Sequence, residues 1–103
     1  MSNAEVVTET KTNVNQELKE PSLFKVIYLN DNQTSMDFVI SSLIEFFDYN
    51  EDTAQEITLD IHNIGSATVA VLPYELAEQK GVEVTLSARA NNYPLQVRLE
   101  ADA

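Results

Sequence analysis

The chain has 103 residues, an apolar share of 44% and a formal net charge of -11, with only six Lys and Arg. That length is one domain's worth and buries one modest core, about 65% of the unfolded surface. The charge excludes sequence-independent binding to nucleic acid, which relies on neutralising phosphates, and it disfavours anionic membrane surfaces. Cationic or neutral partners are favoured, among them a protonated amine. The absence of cysteine rules out disulfides, a thiolate metal site and a cysteine nucleophile, and it fits a reducing compartment. No apolar run reaches the roughly 20 residues that a membrane span needs. The polar, acidic N-terminus is not that of a signal peptide.

Residues 1–22 are polar and aperiodic, with Glu5, Glu9, Lys11, Glu17, Lys19, Glu20 and Pro21, and are expected to form a disordered extension. Phe24 to Leu29 (FKVIYL) is short, apolar and rich in β-branched and aromatic residues, which predicts a strand at the centre of a sheet. A polar loop follows, Asn30 to Ser35. Thr34, with Asp37 three residues on, reads as a helix N-cap. The helix is expected over Ser35 to Phe47, with Met36, Val39, Ile40, Leu43, Ile44 and Phe47 facing the core and Phe38 and Phe46 widening that face.

Asn50 is placed to cap a second helix, Glu51 to Asn63, whose first-turn Glu51 and Asp52 suit the dipole. Ala54, Ile57, Ile61 and Leu59 are its expected buried side. Gly65 suits the left-handed position after the helix end. The chain's only histidine, His62, therefore falls in the last turn. Ala67 to Leu72 (ATVAVL) predicts a second strand, and Pro73 suits the first turn of a third helix, Tyr74 to Asn91. Leu76, Ala77, Val84 and Ala88 make its apolar stripe, and Gly81 interrupts it without an evident reason. Leu95 to Leu99 alternates as a half-buried strand, and Glu100 to Ala103 reads as a tail. The expected fold is a small single α+β domain over residues 23–100, in the order β-α-α-β-α-β, with a tail at 101–103. Its three-stranded antiparallel sheet carries three helices on one face.

Familiar site chemistries fit poorly. A calcium loop starting at Asp31 fails, because Met36 stands at its sixth position and Ser42 at its twelfth. One histidine and no cysteine leave zinc an unusual carboxylate set. Thr34 or Ser35 with His62 and Asp31 resembles no nucleophile elbow. Two glycines cannot build a phosphate loop. No catalytic residue, metal or cofactor is expected. Read alone, Asn30-Asp31-Asn32 is a turn, His62 a capping residue, and Met36, Val39 and Ile61 plain core.

The ordered set of motifs points further. Leu29-Asn30-Asp31, Thr34, Met36 and Phe38-Val39 are followed by His62-Asn63 and Gly65 about 30 residues on. Glu75, Ala77-Glu78, Lys80, Ala88-Arg89, Pro94-Leu95 and Leu99-Glu100 come after them. Together, over residues 23–100, they resemble the ClpS family, bacterial adaptors that deliver N-end-rule substrates to the ClpAP protease.

The resemblance implies a cytoplasmic, monomeric adaptor that is not an enzyme. Asn30, Asp31, Asn32 and His62 would grip the free α-amino group of a target chain. Thr34, Met36, Val39, Thr58, Ile61 and Leu95 would form the pocket for a bulky first side chain: Leu, Phe, Tyr or Trp. Glu75 and Lys80 on the third helix would dock on the N-terminal domain of a ClpA-type ATPase, which would engage the N-terminal extension during handover. Two departures bear on specificity: Asn32 stands where the family has an Asp, and Thr58 where it has a methionine. They keep open a second reading, a regulator of the ATPase with relaxed or lost degron binding. Ser35 and Pro73 also replace the family's usual Pro and Thr, at helix starts.

Overall fold

The strand β1, Leu23–Leu29, lies between two antiparallel neighbours, β2 (Ser66–Pro73) and β3 (Gln96–Ala101), in the order β2-β1-β3. The computed structural model describes residues 22–103; the extension expected over residues 1–22 lies outside them except for Ser22. Three helices join the strands: α1 (Met36–Phe47), α2 (Glu51–Ile64) and α3 (Tyr74–Ala90). The order β-α-α-β-α-β and the antiparallel sheet are those expected.

The central position of β1 explains its unbroken apolar run. Phe24, Val26 and Tyr28 join the core beneath the helices, as period-two alternation requires. Ile27 points to the other face and is still buried, because strands flank it on both sides. Between Val26 and Ile27 the pairing with β2 slips by one residue, from Ala70 to Thr68, so Val69 is the extra residue of a bulge. Its carbonyl is satisfied by the Tyr49 hydroxyl at 2.6 Å. A buried carbonyl that leaves the ladder needs such a partner.

α1 departs from expectation at its start and on its buried face. Its N-cap is Ser35, whose Oγ accepts from the Phe38 amide at 3.1 Å. Thr34 does not cap; its side chain turns back to the preceding loop, where the hydroxyl donates to Asp31 Oδ2 at 2.8 Å. Met36 and Ile44 are 39% and 38% exposed rather than turned to the core, and Ser42 is buried. The helix is turned towards Ser42 because that hydroxyl has partners inside. It donates to Val39 O at 2.8 Å, so the Tyr28 hydroxyl, 2.8 Å away, is the donor to Ser42 Oγ. Burial pushes the Tyr28 phenol well above its usual range, and the Ser42 bond only partly opposes this.

α2 starts and ends as expected. Asn50 Oδ1 accepts from the Thr53 amide at 2.8 Å, and Gly65, at φ 111°, donates to Ile61 O at 2.9 Å. Ala54, Thr58 and Ile61 are its buried residues; Leu59 is exposed. In α3, Ala77, Val84 and Ala88 are buried and Leu76 is exposed. Pro73 ends β2 and occupies the cap position rather than the first turn, with extended backbone at φ -55°, ψ 152°. β3 begins one residue after Leu95 and runs past Leu99 to Ala101, which pairs with Phe24; the Asp102 amide donates to Leu23 O.

Candidate functional site

The polar loop after β1 is built around one carboxylate. Asp31 Oδ1 accepts from the Gln33 amide at 2.8 Å and the Thr34 amide at 2.7 Å, while Oδ2 accepts from the Thr34 hydroxyl at 2.8 Å. An Asp that bonds its own backbone two and three residues on makes a preformed turn. Partial burial raises the Asp31 carboxyl. The Thr34 and Gln33 amides, the Thr34 hydroxyl and the Arg89 guanidinium outweigh it, so the net shift is below the ordinary value. Asp31 therefore supplies fixed negative charge, with both its oxygens already engaged.

The loop is tied to the end of α2 through one backbone bond, Asn30 N–H to Gly65 O at 2.9 Å. This bond sets the Asn30 loop against the last turn that carries His62. Between them is a cavity of about 320 Å³. It is lined by Asn30, Asp31, Asn32 and His62 and by Thr34, Met36, Val39, Thr58 and Ile61. Among the described residues no hydrogen bond engages the His62 ring or the side chains of Asn30 and Asn32. Their acceptors remain open to a donor-bearing ligand.

The apolar wall is contributed by α1 and α2. Val39 and Ile61 are buried, and Met36 stands half-open at the start of α1. Thr58 is only 2% exposed, and its Oγ1 donates back to Ala54 O at 2.8 Å. Leu95 lies apart from this lining, 1% exposed within the main core. Glu75 and Lys80 lie on α3, away from the cavity lining; Glu75 is exposed and Lys80 sits 3.9 Å from Glu83.

Arg89 is a residue whose role the sequence did not disclose. Its Nη1 donates to Tyr93 O at 2.9 Å and to Leu95 O at 2.8 Å, which holds the loop between α3 and β3. Tyr93 packs on Phe38 of α1, with ring centroids 5.2 Å apart. Arg89 thus fastens the last loop to the first helix and places a cation near Asp31. Its charge and its place at a helix end were visible in the sequence; its two carbonyl partners were not. A second cavity of about 270 Å³ lies between α3 and β3, lined by Gly81, Val82, Leu86, Val97 and Leu99 among others.

Comparison with known proteins places this geometry in context. Residues 19–98 match the family model described as ATP-dependent Clp protease adaptor protein ClpS. An ATP-dependent Clp protease adapter protein ClpS from Shewanella denitrificans is 45% identical over 94 residues, covering 91% of this chain and 92% of that protein. The protein of the same name from Bdellovibrio bacteriovorus is 44% identical over 86 residues, 84% of this chain and 75% of that one. Among solved structures, Agrobacterium tumefaciens ClpS2 bound to L-phenylalaninamide superposes with a TM-score of 0.78 at 35% identity. The match covers 81% of this chain and 100% of that chain. With a family model matched over most of its length and relatives this similar, the chain belongs to the ClpS family of ATP-dependent Clp protease adaptors.

Proposed function

We propose that this adaptor recognises N-degrons, chains whose first residue is Leu, Phe, Tyr or Trp. It hands them to the N-terminal domain of a ClpA-type ATPase for degradation by ClpP. One observation carries the reading. A single cavity is lined both by open acceptors, Asn30 and His62, and by an apolar wall, Met36, Val39 and Ile61. The phenylalaninamide bound by the Agrobacterium relative has the same two parts, a free α-amine and a bulky apolar side chain.

The chemistry of the two ends is complementary. A protonated N-terminus is donor-only, so it needs acceptors: Asn30 Oδ1, Asn32 Oδ1 and a His62 ring nitrogen that carries no proton. Bonds to a charged donor are the stronger kind. Asp31, with its oxygens engaged by the loop, adds favourable charge and fixes the turn that contains Asn32. Burying a Phe or Leu side chain in the apolar end contributes about 1.5–3 kcal/mol. An internal peptide group has neither the charge nor the extra donors.

The test is binding of short peptides starting with Phe, Leu, Tyr or Trp, each against its N-acetylated form. Free peptides should bind the more tightly, and His62→Ala and Asn30→Ala should each cost at least ~1 kcal/mol. Equal binding of free and acetylated peptides would refute the reading. The second reading, an ATPase regulator without degron binding, is favoured by Asn32 and Thr58 and predicts that equality with docking retained. In either case Glu75 and Lys80 substitutions should weaken docking to the ATPase and spare peptide affinity. The adaptor would act as a cytoplasmic monomer.

A further inference from the structure

Thr58 is an oxygen-bearing side chain, almost fully buried, that lines the cavity together with the apolar Met36, Val39 and Ile61. A threonine hydroxyl has one hydrogen to give and two lone pairs to share. Here the hydrogen is committed to Ala54 O at 2.8 Å. Towards a ligand, Oγ1 is an acceptor only. The other hydroxyl in the lining, Thr34, belongs to the loop beside the amine end.

The position along α2 matters as much as the chemistry. Thr58 precedes His62 by four residues, one turn and about 6 Å of helix rise. With the amine held near His62, that is roughly the reach of a tyrosine or tryptophan side chain. We infer that Thr58 Oγ1 is a specificity-determining acceptor that reads the polar tip of the first side chain, favouring tyrosine over phenylalanine and tryptophan over leucine. The inference rests on the N-degron reading above.

The physical basis is an asymmetry. A buried tyrosine hydroxyl or indole N–H without a partner loses its water and gains nothing in return. Phe and Leu carry no donor, so they have nothing to satisfy. An acceptor at this depth removes the handicap of Tyr and Trp alone. A larger apolar residue at position 58 would change the size of the cavity without distinguishing Tyr from Phe by hydrogen bonding.

The experiment measures dissociation constants for four peptides that differ only in a first residue of Tyr, Phe, Trp or Leu. The proteins are wild type, Thr58→Val and Thr58→Ser. Valine keeps the branched shape and loses the oxygen; serine keeps the oxygen. The Tyr-over-Phe affinity ratio should fall about five-fold in Thr58→Val, the scale of one neutral hydrogen bond, and return in Thr58→Ser. Trp over Leu should follow. A Tyr-over-Phe ratio unchanged in Thr58→Val would overturn the inference and leave Thr58 a matter of shape. If wild type does not distinguish free from acetylated peptides, the N-degron reading falls and this inference with it. Thermal melting of each variant checks that the ratios come from folded protein.

Discussion

Removing the Asp31 carboxylate should loosen the loop that carries Asn30 and Asn32, the acceptors proposed for the amine. The side chain holds three bonds of 2.7–2.8 Å, from the Thr34 amide, the Gln33 amide and the Thr34 hydroxyl. Hydrogen bonds to a charged group contribute about 1.5–3 kcal/mol each when buried. The Gln33 bond is exposed and its amide turns to water when the acceptor is lost, so it counts for little. Part burial puts the two Thr34 bonds at the low end of that range, about 1.5 kcal/mol each, an expected loss of roughly 3 kcal/mol for Asp31→Ala at neutral pH. Urea denaturation measures it, and peptide affinity should fall in the same variant although both carboxylate oxygens face the loop.

The pH dependence gives an independent check on the same side chain. Its folded value lies below the ordinary one near 3.8, so the folded state favours the ionised form. That stabilisation is fully present above the unfolded value and declines as pH falls through the folded one. The difference in stability between wild type and Asp31→Asn should be constant near neutrality and shrink only below about pH 4. Asp31→Ala unfolding at the wild-type urea midpoint, or a difference that does not change in acid, would refute this account of the loop.

Two further outcomes test the packing. A methyl group at Gly81 would meet Val97 Cγ1 at 3.7 Å and Leu99 Cδ2 at 4.0 Å, ordinary contacts. Gly81→Ala should therefore stabilise the protein by up to ~1 kcal/mol, seen as a higher Tm; a lower Tm would mean that α3 and β3 sit closer than described. In the buried pair, Ser42→Ala strands the Tyr28 hydroxyl and should cost ~1–3 kcal/mol. Tyr28→Phe leaves Ser42 bonded to Val39 O and should cost less. Denaturant midpoints that reverse this order would assign the donor wrongly.

The contrast between Thr34 and Ser35 shows where a sequence stops being informative. Both are hydroxyl residues next to a helix start, and local pattern favours Thr34 because Asp37 follows it. The choice falls to Ser35, whose Oγ accepts from the Phe38 amide, while the Thr34 side chain is oriented towards Asp31. The buried face of α1 holds the expected Val39, Ile40, Leu43 and Phe47 and differs only at its margin: hydropathy counts Met36 and Ile44 inward and Ser42 outward, and Tyr28, fourteen positions earlier, draws Ser42 in. The Val69 bulge and the carbonyl partners of Arg89 are likewise set by groups distant in the chain.

What depends on local chemistry was legible: the central apolar strand, the Asn50 cap and Gly65 after α2. The gathering of the cavity residues was legible only through the ordered motif set, because no residue in it identifies itself alone. The structure supplies the physical link between its halves. The Asn30 amide bonds to the Gly65 carbonyl, and Gly65 is free to make that turn because it is glycine at φ 111°. A side chain at position 65 would strain the helix end and shift His62 relative to Asn30. The residue that aligns the two sides of the cavity is thus one outside its lining.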